Sequence, residues 1–518
     1  MFSVRTITYC FIAFAFQLHS QQNFVSMNSF YKDHLYSAGS RLEAYSGNSF
    51  FPVSEDQYNL NYKIADTSKQ YYTITEILFK KHLLEFKGEN YYLTISPVLD
   101  FTYSQDLEDT LKRRLFQNTR GFVIEGDLFK NFSFSTSFYE NQSRNPMYQS
   151  RYFRSNGELY VKKSDSTYFT QNAVVPGAGR TKVFKQDAFD YAYAIGNIIY
   201  KPFKVLTLSG GNNQHFIGDG YRSMLLSDNS YSSPYFQANY RFLPKWEFVY
   251  LRSKLMNLLR KPASTSVEAY YEPKGYAVNY LSFQATKKLS ISLFEGSIYS
   301  RGDSITSKRA NPLFYNPVPV IGAFILKDSE INSILGLNIG YTATNSLRIY
   351  GQLAYNNKSN GIGTQLGLRL SEPFKIKQFF AQLELNYASN DLYSSKTSRL
   401  NYSHYNLPLA HIKGQGFVEG VFRTNYEWKR LYFDLKSIYY SLTNYSDVSL
   451  LPSVKIKPLV TGTIFHNELE IGYRFNRKLN LTFFGNWMLR SDNFSPERLT
   501  NMFGLGLRTG LLNHYSDF

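Results

Sequence analysis

Residues 331 to 356 read INSILGLNIGYTATNSLRIYGQLAYN. Successive side chains of an extended chain point to opposite faces, so Leu335, Leu337, Ile339 and Tyr341 share one face. After Thr344-Asn345-Ser346 the pattern returns in Leu347, Ile349, Leu353 and Tyr355. This spacing predicts two strands joined by a tight turn. Ala381, Leu383, Leu385 and Tyr387 repeat it against Gln382, Glu384 and Asn386. Glu468, Glu470 and Arg474 alternate with Leu469, Ile471, Tyr473 and Phe475, and Asn480, Thr482 and Asn486 with Leu479, Leu481, Phe483 and Trp487. Carboxylates and amides at every second position cannot face lipid, so each strand has one wet and one apolar side.

Segments of this kind fall at 90–100, 119–128, 131–140, 187–199, 204–213, 234–242, 244–254, 274–286 and 288–299. They continue at 331–343, 345–355, 361–371, 378–388, 416–427, 430–441, 465–475, 478–489 and 500–511, which makes about eighteen strands. Their connections alternate in length. Phe129-Lys130-Asn131, Pro202-Phe203-Lys204, Leu243-Pro244-Lys245, Thr286-Lys287-Lys288, Trp428-Lys429-Arg430 and Asn476-Arg477-Lys478 are tight, whereas 141–186, 214–233, 255–273, 300–330, 389–415 and 442–464 are long. Asn356 to Asn360 is a short connection where the rhythm calls for a long one. A soluble sandwich has no reason for such a rhythm. A transmembrane antiparallel β-barrel of the outer membrane does, with short periplasmic turns and long extracellular loops. The expected fold is therefore all-β, with the barrel over 90–518 and both termini periplasmic. The last residue, Phe518, is aromatic, as in barrels handed to an outer-membrane insertion machine.

Composition agrees. The 518 residues are 43% hydrophobic and 17% aromatic, with 44 Tyr, 43 Phe and 3 Trp, yet mean hydropathy is negative. Many aromatics within a polar average follow from alternation, and no run of 18 apolar residues predicts a transmembrane helix. Arg5 before the apolar stretch Ile7 to Phe16, with Ser20 at the boundary, reads as a secretory signal peptide over 1–20. The single Cys10 lies within it, so the mature chain has no disulfide, thiolate nucleophile or cysteine-ligated metal. Part of the formal net charge of +17 falls on the tight turns, many of which carry Lys or Arg, and no compact basic patch or motif that would bind nucleic acid is present. Residues 21–89 differ in texture and read as an N-terminal periplasmic or plug segment. Thr73 with Glu76 fits a capping box, and Leu78, Phe79, His82, Leu83 and Phe86 share a helical face, predicting a helix over 74–86 that either closes the barrel mouth or serves as a linker.

Little in the sequence points to catalysis. His34, His82, His215, His404, His411, His466 and His514 show no metal-ligand spacing. The glycines around Gly361 and Gly504 lack the spacing and following helix of a nucleotide site, and no GxSxG elbow is present. Glu384, Glu468 and Glu470 face the expected lumen, which explains them without a reaction. Neither a cofactor nor a metal is implied.

One segment stands out, from Gln214 and His215 through Phe216-Ile217-Gly218-Asp219-Gly220-Tyr221-Arg222-Ser223 to Met224-Leu225-Leu226-Ser227-Asp228-Asn229. Gly218 and Gly220 permit a sharp turn, Asp219, Arg222 and Asp228 can pair in a network, and the Met224 to Leu226 run needs burial. The segment is expected to fold inward, either as a constriction or ligand-contacting loop carrying Gln214, His215, Asp219, Tyr221, Arg222, Asp228 and Asn229, or as a packed plug.

This run resembles the signature of the Wzi-like capsule-assembly barrels, and the Bacteroidetes branch that includes the gliding-motility protein RemB looks most similar. Asn118-Thr119-Arg120-Gly121, Tyr139-Glu140-Asn141-Gln142, Val175-Pro176-Gly177 and Phe294-Glu295 carry the resemblance over about 118–300, with Arg120, Glu140, Asn141, Glu295, Gly218 and Gly220 as its structural positions. Met224 departs from the usual Leu, a swap of similar volume. The resemblance implies an eighteen-stranded outer-membrane barrel that binds exported surface polysaccharide, or serves gliding or surface-export machinery, with no catalytic residue to carry over. The alternatives are a porin or substrate channel and an outer-membrane enzyme. The aromatics divide accordingly: Trp246 and Trp428 at short turns, with Tyr341, Tyr355, Tyr387, Tyr473 and Trp487 toward strand ends, suit interfacial girdles, and the loop tyrosines remain as candidate ligand contacts.

Overall fold

A computed structural model describes residues 23–33, 49–54, 75, 78, 82–161, 168–185, 187–260, 271–302, 308–445, 460–496, 498–510, 513 and 515–518. The expected signal peptide lies outside the described residues. Among these residues eighteen long strands form one antiparallel sheet closed on itself. They are β1 (Tyr91–Asp106), β2 (Arg114–Leu128), β3 (Phe132–Arg144), β4 (Ala188–Phe203), β5 (Leu206–Asn213), β6 (Ser233–Leu243), β7 (Trp246–Asn257), β8 (Glu272–Gln284) and β9 (Leu289–Ser300). The second half comprises β10 (Ile331–Thr342), β11 (Leu347–Asn356), β12 (Ile362–Ser371), β13 (Phe379–Ala388), β14 (Phe417–Trp428), β15 (Leu431–Tyr445), β16 (Val460–Asn476), β17 (Leu481–Asp492) and β18 (Leu499–Arg508). Each expected strand has its counterpart. The register is the one that the alternation requires: Leu383, Leu385 and Tyr387 point outward and are exposed, while Gln382, Glu384 and Asn386 point into the lumen and are buried.

Closure joins β18 to β1, from Met502 opposite Asp106 to Arg508 opposite Asp100. Below Asp100, β18 has ended while β1 continues to Tyr91. The Thr509 backbone N–H and hydroxyl bond Leu99, and a four-residue strand, Leu84–Lys87, then pairs with Ile95 to Tyr92. An unpaired edge at membrane depth would strand several backbone donors and acceptors, so the N-terminal segment completes the wall. This corrects part of the expected helix over 74–86. Thr75 and Leu78 are helical and most of the span lies outside the described residues, but Leu84 to Phe86 is strand, with Leu84 and Phe86 facing outward in the belt. Local helical spacing yields here to the unpaired edge of β1.

The lumen is the core. Helix α1 (Met147–Ser155) and the connections 214–232 and 389–416 turn inward, as do residues 23–33 and 49–54 and the carboxy-terminal tail. The expectation of a periplasmic carboxy terminus is corrected. After β18 the chain turns back into the barrel, and Phe518 packs against Tyr148, Tyr152 and Phe153 of α1, its ring 4.1 Å from that of Tyr152. Burial of this ring and the ion pairs of Asp517 favour the lumen over water. The aromatic excess is split in the same way: Trp428, Tyr341, Tyr355, Tyr387 and Tyr473 lie exposed on the outer wall, whereas Tyr276, Tyr280, Tyr350, Tyr393, Tyr402 and Tyr440 are buried inside.

The outward face predicts a direct test. Substitution of Leu383, 48% exposed and at the middle of β13, by Lys is expected to cost about 2–4 kcal/mol of stability in lipid vesicles. Unfolding titrations in vesicles measure this, and no loss would place the residue away from hydrocarbon.

Candidate functional site

The inward segment is held by every wall it crosses. Phe216 and Ile217 pair with Phe51 and Phe50 of the N-terminal segment. Gly218 has φ 119°, and a Cβ there would lie 2.3 Å from the Gln352 amide; at Gly220 it would meet Glu384 Oε2 at 2.5 Å. Only glycine lets the backbone approach these strands so closely. The Tyr221 and Arg222 N–H groups donate to the two Glu384 oxygens at 2.9 and 3.1 Å, and Met224 N–H donates to Gln352 Oε1 at 2.8 Å. Met224, Leu225 and Leu226 are buried in the main apolar cluster.

Asp219, Arg222 and Asp228 do not pair with one another as the sequence suggests; each reaches a different part of the barrel. Asp219 accepts from Arg348 at 2.8 Å and lies 3.7 Å from Arg369. Arg222 contacts Glu419 at 3.1 Å and Asp517 of the tail at 2.7 Å, and donates to the Tyr440 hydroxyl at 3.0 Å. Asp228 accepts from Tyr515 at 2.7 Å and Asn513 at 3.1 Å. Gln214 donates to the Gly177 and Ser230 carbonyls at 2.9 and 2.8 Å, and Asn229 to that of Pro408 at 2.7 Å. His215 sits between the rings of Phe50 and Tyr235, where burial pushes its imidazole down to about 3. Burial opposes ionisation of Asp517, but Arg222 and Lys436 hold its carboxyl well below the usual carboxylate range.

Tyr221 alone of the seven singled-out loop residues borders open space. A cavity of about 240 Å³ lies beneath the segment, lined among others by Tyr221, Tyr432, Tyr515, Arg423, Lys436 and Asp434. The positions that carry the family resemblance scatter. Arg120 and Glu140 face each other across β2 and β3 on the exposed outer wall. Asn141 points inward, accepting from Thr119 at 2.8 Å and donating to the Tyr191 carbonyl at 3.3 Å. Glu295 lies on the outer wall under a loop, accepting from Asn279 at 3.0 Å and Val320 N–H at 2.9 Å.

Sequence reading missed the connection 389–416. Tyr393 and Tyr402 donate to the Met224 and Leu225 carbonyls at 2.7 and 2.9 Å, and His411 meets Glu419 at 2.6 Å. Its only signal was a density of tyrosines in a long loop, and these are packing residues rather than free ligand contacts. Phe50-Phe51 in the N-terminal segment was a second unused signal.

The geometry matches known barrels. No family model matches the sequence, and no curated protein does. Among solved structures the chain is similar to Wzi, a carbohydrate-binding β-barrel of Escherichia coli involved in group 1 capsule assembly. That match has a TM-score of 0.55 at 12% identity and covers 94% of this chain and 99% of that one. By fold, this chain is an outer-membrane β-barrel. OpdK of Pseudomonas aeruginosa, solved with vanillate, reaches a TM-score of 0.44 at 11% identity over 81% of this chain and 98% of that one. OccAB2 of Acinetobacter baumannii reaches 0.42 at 9% identity over 80% and 97%.

Within this barrel the polar side chains are arranged for holding. Glu384 is taken up by the Tyr221 and Arg222 N–H groups, Tyr350 and Asn386. His82 Nδ1 lies 2.8 Å from Ser96 Oγ. Burial and the charge of Lys478 lower that imidazole to about 4, and Glu85 accepts from the His82 backbone N–H at 3.1 Å. Among the described residues no three His, Cys, Asp or Glu side chains converge as a metal site requires.

Arg222→Ala leaves Glu419 and Asp517 buried without their shared cation and is expected to cost about 3–5 kcal/mol; thermal unfolding in detergent and protease resistance of the inward segment report it. Acid is expected to loosen the same interior. His215 and His404, both lowered to about 3 by burial, bind protons only on unfolding between about pH 6.5 and 3. Each therefore removes about 1.4 kcal/mol of stability per pH unit as pH falls through that window. A melting temperature unchanged between pH 7.5 and 4.5 contradicts their neutral burial.

Proposed function

We propose that this barrel is a closed, non-enzymatic outer-membrane receptor that engages exported surface polysaccharide, as in capsule attachment, at its long-loop face, with that face extracellular. The observation that carries the reading is the filled lumen. The inward segment, α1, the connection 389–416, the tail and the N-terminal residues occupy it and are tied to the strands by buried ion pairs. A diffusion channel needs a lumen open to water. An ordered, charge-paired plug suits a protein that works through its outer surface.

The long-loop face offers the chemistry that sugars need. Rings of Tyr160 and Phe169 stack at 5.3 Å, and the Arg260 guanidinium lies 4.7 Å from the Tyr160 ring. Buried Glu158 organises the group, accepting from Tyr160 at 2.8 Å, Asn172 at 3.0 Å and Arg180 at 2.9 Å. Aromatic faces pack on sugar C–H groups, and guanidinium groups beside them suit the acidic residues of a polysaccharide. A gliding role rests on the sequence resemblance alone.

Purified barrel in planar bilayers is expected to show no large stable open current; such a current overturns the receptor reading in favour of a channel. Phe169→Ala with Arg260→Ala is expected to weaken binding of an acidic polysaccharide at least tenfold without shifting the melting temperature. A deletion strain that keeps its capsule and loses gliding would move the role to the motility machinery.

A further inference from the structure

The outer wall carries a charged network where lipid is expected. Directly opposed residues of neighbouring strands share a face, and Phe236, 49% exposed, is opposite Arg252, which is opposite Ala277, then Ser297, then Ser333. One step nearer the short turns, Tyr250, Asn279 and Glu295 form the next outward row. Arg252 donates to Asn279 Oδ1 at 3.1 Å, Asn279 donates to Glu295 at 3.0 Å, and Ser297 donates to Glu295 at 3.3 Å. Trp246 begins β7 at the short-turn rim, stacked at 4.2 Å on Phe283. Arg252 lies six residues further along the strand, which is about 15 Å of height for a strand tilted by about 40°. The apolar band of such a barrel is about 25 Å tall. The network therefore sits at hydrocarbon depth.

The connection between β9 and β10 covers it from outside. Arg252 donates to the Phe314 carbonyl at 2.5 Å and the Asn316 carbonyl at 2.7 Å, Tyr250 donates to the Tyr315 carbonyl at 3.0 Å, and Val320 N–H donates to Glu295 at 2.9 Å. Phe314 packs on Tyr299 at 5.6 Å in a small cluster with Ala277 and Ile331. It lies over Gly275, where a Cβ would come within 3.0 Å of the ring. With these polar groups turned to the wall, the other side of the loop is apolar. Tyr315, Val318, Phe324 and Ile325 are 59, 52, 65 and 69% exposed, the last two on the short helix α2 (Ile321–Ile325).

We propose that residues 310–326 form a membrane-inserted flap whose outer face is covered by lipid acyl chains. Backbone polar groups at membrane depth must be satisfied within the protein. Arg252, Tyr250 and Glu295 meet those of 314–320, and Asn357 and Lys358 of the β11–β12 connection donate to the Ala323 and Leu326 carbonyls at 2.9 and 3.0 Å. The flap's exposed residues continue the exposed belt that includes Leu293 and Phe236. Lipid is accordingly the occupant, and the flap is a fixed part of the wall that keeps Arg252 and Glu295 from hydrocarbon.

Spin labels at Phe324→Cys, Leu293→Cys as a belt reference and Lys308→Cys as an aqueous reference, all in a Cys10→Ser background, test this in phosphatidylcholine vesicles. The Phe324 label is expected to collide with oxygen severalfold more than with a water-soluble nickel chelate, as the Leu293 label does. A nickel preference like that of Lys308 overturns the proposal, and so does shielding from both reagents, which would assign the face to a protein partner or second copy. Where the label disturbs folding, Phe324→Trp in a background with Trp246, Trp428 and Trp487 replaced by Phe, quenched by brominated lipid, gives the same reading, and absence of quenching overturns it.

Discussion

Every backbone N–H and carbonyl at membrane depth must find its partner within the protein, because hydrocarbon offers none. Closure of the sheet follows from this constraint, and so does its least regular feature. β18 is too short to cover β1, and the remaining edge is taken first by Thr509 and then by Leu84–Lys87. The outer wall obeys the same rule. Arg252 and Glu295 would be costly on a lipid-facing surface, and both are spent on the backbone of a loop laid over them.

Inside, the constraint becomes electrostatic. Arg222, Arg348 and Arg369 are among the largest fully buried side chains, and each faces a carboxylate supplied by another part of the chain. Such pairs contribute little net stability against an apolar core, but breaking one is costly. They select a single arrangement of plug against wall. Lumen and plug therefore form one packed body around the cavity that Tyr221 borders.

The barrel wall was legible because a period of two is a local property. Leu383, Leu385 and Tyr387 against Gln382, Glu384 and Asn386 identify strand, face and register without knowledge of any neighbour. The inward turn of the segment from Gln214 to Asn229 was legible for a similar reason, since two glycines and a buried apolar run cannot remain in water. The partners of that segment were not legible. Asp219, Arg222 and Asp228 are close in sequence and suggest a local triad, yet Arg348, Glu419, Asp517 and Tyr515 lie between about 130 and 300 residues away and are brought near only by closure of the sheet.

What the sequence determined by itself was therefore the alternation, the lengths of the connections and hence a closed, eighteen-stranded wall, because side-chain period and turn length are set by residues next to one another. Tertiary structure alone decided what fills that wall. A tail ending in Phe518 looks like an exposed terminal signal until the rings of Tyr148, Tyr152 and Phe153 offer it burial. Residues 84–86 read as helix until the unpaired edge of β1 demands a strand. Both outcomes depend on groups far apart in the chain, whose free energy of burial or pairing exceeds the local preference they override.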